Sequence, residues 1–224
     1  MPGRLTPLVT GEFYHIYNRG INHCKTFIDQ KDFVRARLSL DFYRFISPPM
    51  RLSFYLKLPE HQQEEVWSEL KQNKKVLVEI ISYCLMGDHF HLLLKQQVDG
   101  GISKFMSNFQ NSYTRYFNKR HKRDGSLFLD QFKAVRVVSE QQLLHLSRYI
   151  HLNPYSSYVV KNFSDLEGYQ WSSFPEYIGE KDGFCDIEVV LSYFGSREKY
   201  KNFVLNRADY QRGLEIVKHL MFDA

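Results

Sequence analysis

The sequence predicts an α+β fold in which a ferredoxin-like antiparallel sheet is flanked by helices. Three observations point to it. Segments rich in β-branched and aromatic residues alternate with helical stretches in the order strand, helix, strand pair, helix, strand, helix. The turn Gly87-Asp88 separates two apolar runs, as an antiparallel pair requires. Ile102, Phe105, Met106, Phe109, Tyr113, Tyr116 and Phe117 repeat at the period of an amphipathic helix.

In chain order, Glu12 to Asn18 reads as a first strand ending at Arg19-Gly20. Asp29 is placed to cap a helix running to about Phe45, which Ser47-Pro48-Pro49 stops. Pro59 to Gln72 reads as a short polar helix inserted before the next strand. Val76 to Met86 and His89 to Lys95 form the strand pair, and Gly100-Gly101 opens the amphipathic helix. A strand near Phe132 to Val138 follows. Ser139 and Gln142 then have capping-box spacing for a last helix, which Pro154 is expected to end. The organisation expected is a main domain over 1–179, with an insertion at about 47–76, and a helical extension over 180–224.

A chain of 224 residues with 43% hydrophobic content can bury one sizeable core. It has no apolar run long enough to span a bilayer and no apolar stretch at its N-terminus, so a cytoplasmic protein with no membrane partner is expected. Cys24, Cys84 and Cys185 are widely spaced and odd in number, which argues against a disulfide framework or a Cys-x-x-Cys metal site. Charge is concentrated locally: Gly101 to Arg136 holds eight basic residues against Asp124 and Asp130. With tyrosine and phenylalanine interleaved, that segment suits a polyanion with unpaired bases. The candidate contacts are Arg19, Arg115, Lys119, Arg120, Lys122, Arg123 and Lys133.

His89 and His91 sit two apart on a predicted strand, so both imidazoles leave the same face. Such a pair can hold a metal ion, although an isolated His-x-His reads more readily as two half-exposed strand histidines. Tyr149 and Asn153, four apart on the last helix, also share a face. A tyrosine phenol, with an ordinary pKa of about 10, needs a base or a nearby cation to become a nucleophile. In isolation Tyr149, flanked by Leu143, Leu144, Leu146 and Ile150, reads as a packing residue.

These motifs together resemble the REP-associated tyrosine transposases, a branch of the single-tyrosine HUH transposases named for histidine, a hydrophobic residue and histidine. The blocks that carry the resemblance are Tyr14-His15-Ile16-Tyr17-Asn18-Arg19-Gly20, Met86 to Leu94, Tyr113 to Asn118, Gly125 to Phe128 with Phe132-Lys133-Ala134, Tyr149 to Pro154, and Trp171-Ser172-Ser173. The resemblance implies an HUH motif on a central strand and a catalytic tyrosine on a helix. By the same resemblance Tyr149 attacks single-stranded DNA, keeps the 5′ phosphate and frees a 3′ hydroxyl. His89, His91 and Asn153 would hold the metal, with Mg²⁺ or Mn²⁺ suited to mixed imidazole and amide ligation. Hairpin DNA is the implied ligand, and the superfamily includes both monomers and homodimers. The stretch after Asn153-Pro154 departs from the pattern, with Tyr155-Ser156-Ser157 where many relatives carry Val-Arg-Ala. Rival readings are a hairpin-binding regulator that does not cut, a phosphodiesterase in which water attacks, and an RNA-binding module.

Overall fold

A computed structural model describes residues 7–206 and residue 208. Its elements are β1 (Phe13–Arg19), α1 (Gln30–Tyr43), α2 (Leu52–Tyr55), α3 (Glu60–Asn73), β2 (Val78–Leu85), β3 (His89–Gln96), α4 (Gly101–His121), β4 (Lys133–Arg136), α5 (Glu140–Ser156), α6 (Phe163–Glu167), α7 (Phe174–Ile178), α8 (Glu188–Leu191) and α9 (Arg197–Leu205). The strands form one sheet in the order β2-β3-β1-β4, with every neighbouring pair antiparallel. Two β-α-β units are thereby interleaved, each placing a strand between the two strands of the other. Among the described residues no helix is long and apolar enough to cross a membrane.

The pleat divides the side chains between two cores. Tyr14 and Ile16 of β1 and Phe90, Leu92 and Leu94 of β3 join the first, with Leu40 of α1 and Phe105 and Phe109 of α4. Leu93 faces the other way into a second core with Leu143, Ile150 and Leu152 of α5. A bulge between Ile80 and Ser82 reverses the parity of β2. Ile81 and Cys84 consequently join the second core, while Ile80 and Tyr83 stay in the first.

Local signals act as their chemistry dictates. Asp29 caps α1 by accepting from the backbone N–H groups of Lys31 and Asp32. Ser139 caps α5 by accepting from Gln142 N–H at 3.1 Å. The Gln142 side chain reaches back to accept from Val138 N–H at 2.8 Å, one residue earlier than in a standard capping box. The expectation that Pro154 ends α5 is corrected: the helix continues to Ser156 with Pro154 inside it. Proline so close to a C-terminus forfeits only its own donor, and its carbonyl still accepts from Val159 and Val160.

Orientation of α5 is set by one buried histidine. His151 accepts at Nε2 from Ser173 Oγ (2.8 Å), and Ser173 Oγ itself accepts from Tyr83 N–H of β2 (2.9 Å). On its other side His151 Nδ1 meets Tyr200 Oη of α9 at 2.7 Å, and Tyr200 passes a hydrogen bond to Ser147 Oγ. The described part of the 180–224 extension thus packs on α5, contributing Val190, Leu191, Tyr200 and Val204 to the second core. The rest of that extension lies outside the described residues.

Two outcomes follow for stability. Ser139→Ala should lower the unfolding free energy by about 1 kcal/mol, read from the urea midpoint at constant slope. Burial pushes the His151 imidazole down to about 3. The unfolded chain takes up this proton below about pH 6.5 and the folded one does not, so stability is complete above pH 6.5 and declines as pH falls toward 3. Between pH 7 and pH 5 the wild type should lose about 2 kcal/mol more than His151→Gln, measured by urea unfolding.

Candidate active site

The register between β1 and β3 builds the site. Tyr17 lies opposite His91, Arg19 opposite His89 and His15 opposite Leu93, so all of them emerge on the α5 side of the sheet. On the outer strands Cys84 lies beside His91 and Lys133 beside Tyr17. The His89 and His91 rings are 5.2 Å apart between centroids, and His91 is 8% exposed.

Each of the two histidines has its Nδ1 engaged. His91 Nδ1 is 2.9 Å from His15 Nε2, and His89 Nδ1 is 2.6 Å from an Asp88 carboxylate oxygen. Burial pushes His15 down to about 4, so this imidazole is neutral at pH 7. A neutral His15 accepts at Nε2 when His91 carries its proton on Nδ1. The hydrogen bond to His89 holds the Asp88 carboxyl below the usual carboxylate range, so it is ionised and accepts the Nδ1 proton of His89. These outer partners fix the tautomer and ring orientation of the two histidines.

Asp88 is held in place by the chain that follows β1. Gly20 N–H donates to Asp88 O at 2.7 Å, and Thr26 and Phe27 N–H donate to Gly87 O at 2.8 and 3.0 Å. A Cβ on Gly20 would fall 2.2 Å from Cys24 O, so only glycine permits this close crossing.

Tyr149 arrives from α5. Its ring stands edge-on to His91 at 5.5 Å and to His15 at 6.1 Å. The anchoring His151 is two residues further on and points away from the site, so the contact that fixes the helix does not compete with Tyr149. Asn153 lies one turn beyond Tyr149 and is 4% exposed. The fold thus brings His89, His91 and Tyr149 together and sets Asn153 on the same helix.

The basic candidates separate. Arg19 and Lys133 are exposed beside the histidines, whereas Arg115, Lys119 and Arg120 line a groove bounded by α1, α2 and α4 on the far side of the sheet. Arg120 is ion-paired with Asp29 and Asp32. Lys122 is exposed at the end of α4, and Arg123 donates to Asn118 and to Ser126 O. The sequence reading assigned no role to His15, Tyr17 or Asp88. The spacing of His15 and Tyr17, the same period of two as His89 and His91, was the available signal.

Comparison with known proteins bears on this arrangement. Residues 51–153 match the family model described as transposase, IS200-like. A solved structure of a REP-associated tyrosine transposase bound to a REP hairpin superposes with a TM-score of 0.51 at 13% identity, covering 84% of this chain and 90% of that one. That likeness shows a shared fold, the α+β architecture with its four-stranded antiparallel sheet. No curated protein sequence matches this chain. The paired histidines at 89 and 91 and the helical tyrosine at 149 all lie inside the span, residues 51–153, that is similar to the IS200-like transposases.

Proposed function

We propose that this protein cleaves and rejoins single-stranded DNA by transesterification, with Tyr149 as nucleophile. The observation that carries the reading is the placement of the Tyr149 ring against His91, 5.5 Å away, on the sheet face that also bears His89. In the forward step a bond forms between Tyr149 Oη and the phosphorus, and the bond from phosphorus to the 3′ oxygen breaks. The phenol loses its proton, and the departing 3′ oxygen gains one as a hydroxyl. The 5′ phosphate remains on Tyr149 as a phosphodiester, so the number of phosphoester bonds is conserved. A 3′ hydroxyl can then reverse the step or join a different strand without ATP.

The residues fit a divalent cation. Two imidazoles oriented through Nδ1, with the Asn153 amide one turn beyond Tyr149 on α5, would make a mixed nitrogen and oxygen donor set suited to Mg²⁺ or Mn²⁺. When bound, such a cation neutralises charge building on the scissile phosphate. His15 and Asp88 are positioning residues that hold the two histidines. Arg19 and Lys133 extend the site with positive charge for adjoining phosphates. Tyr149 and the histidines meet within one chain, which supports cleavage in cis by a monomer. The unit responsible is residues 1–179 with the insertion at 47–76, buttressed through Tyr200. Hairpin-forming DNA is the substrate class, by analogy with the similar transposase bound to a REP hairpin.

Incubating the protein with labelled single-stranded hairpin DNA and Mg²⁺ or Mn²⁺ should yield a covalent adduct on a denaturing gel, absent with Tyr149→Phe or chelator. Hairpin binding with no adduct in either metal would instead identify a regulator that does not cut. His15→Phe and Asp88→Asn should each weaken apparent Mn²⁺ affinity by roughly 10- to 100-fold, with adduct yield recovering at high Mn²⁺. Metal titrations superimposable on the wild type would remove both residues from the site.

A further inference from the structure

The side of the sheet away from Tyr149 has its own concentration of positive charge. A groove of about 820 Å³ opens there between α1, α2 and α4. Arg35, Arg51, Lys57, Arg115, Lys119 and Arg120 line it, and among the described residues no aspartate or glutamate does. Arg120 is neutralised by Asp29 and Asp32. Among the described residues the other five enter no ion pair.

Two features mark the groove as built rather than incidental. Arg35 is only 8% exposed, its guanidinium lies 5.4 Å from the centre of the Tyr116 ring, and its Nε has no hydrogen-bond partner. A buried charged donor left without an acceptor is costly, and an anion in the groove would supply one. The insertion, moreover, is clamped in place. Tyr43 Oη accepts from Leu52 N–H at 3.2 Å and donates to Ser112 Oγ of α4 at 3.1 Å, which fixes Arg51 and Ser53 at the rim.

We propose that this groove binds the phosphate backbone of nucleic acid, as a second contact surface on the opposite side of the sheet from the cleavage site. The inference rests on the reading that DNA is the substrate. A backbone suits the groove better than a small anion does. Arg51 and Lys57, which flank α2, and Arg115 and Lys119, one turn apart on α4, are all exposed, so they meet a succession of phosphates. The inserted segment, whose length has no evident use at the catalytic face, thereby acquires one.

The test uses the full chain carrying Tyr149→Phe, so that binding is read without cleavage. Fluorescence anisotropy with a labelled DNA hairpin is followed between roughly 50 and 200 mM salt, with and without Arg51→Gln and Lys57→Gln together. Both side chains are exposed, and circular dichroism checks that the fold is kept. The double substitution should weaken binding about 10-fold and reduce the slope of log affinity against log salt by about 2. Unchanged affinity and slope, in a parent protein that binds, would overturn the groove while leaving the cleavage reading intact. A parent that binds no DNA would overturn both. Calorimetric titration with inorganic pyrophosphate separates the remaining source of phosphate. Pyrophosphate binding lost in the double variant, with the DNA salt slope unchanged, would make the groove a small-anion site and overturn the proposal.

Discussion

The alignment of β1 against β3 is the constraint on which the molecule depends. Side chains alternate across a strand, so pairing Tyr17 with His91 places His15, Tyr17, His89 and His91 on one face and Tyr14, Ile16, Phe90 and Leu92 on the other. A slip of one residue would bury imidazoles among leucines and expose the apolar row to water. The first core therefore enforces the register, and the register assembles the histidines. Burial of Ile16, Leu92 and Leu94 specifies the site as firmly as any contact within it.

Polar groups near the sheet are committed in a definite direction. His15 and His151 are both driven to the neutral form by burial, yet to different ends. His15 steadies another imidazole, whereas His151 ties a helix to its surroundings through two hydroxyls. Unneutralised charge is left where solvent or a ligand can meet it, along α4 and the inserted helix on one side and beside the histidines on the other.

Much of this was legible in the sequence where a local pattern encodes it. The apolar period of α4, the caps Asp29 and Ser139, and the paired histidines all follow from neighbours within a turn or a strand. The four-residue α2 was not legible, because it is too short to show a period and is held by the Tyr43 hydroxyl from another helix. His15 escaped notice because its partner is 76 positions away and is met only once the strands pair. The basic residues of Gly101 to Arg136 read as one cluster in the sequence. The fold sends Arg115 and Lys119 behind the sheet and Lys133 in front, because helix and strand belong to different layers.

The hydrogen-bonded chain from Tyr83 through Ser173 and His151 to Tyr200 spans β2, α5 and α9. Its last hydroxyl comes from well past every residue assigned to the chemistry. A fragment trimmed near Gly179 would keep the paired histidines, the tyrosine and the asparagine, yet leave a buried ring nitrogen facing a void. The smallest piece that keeps this geometry is therefore longer than the motifs suggest, and shortening the chain would disturb the arrangement of the site before removing any of its residues.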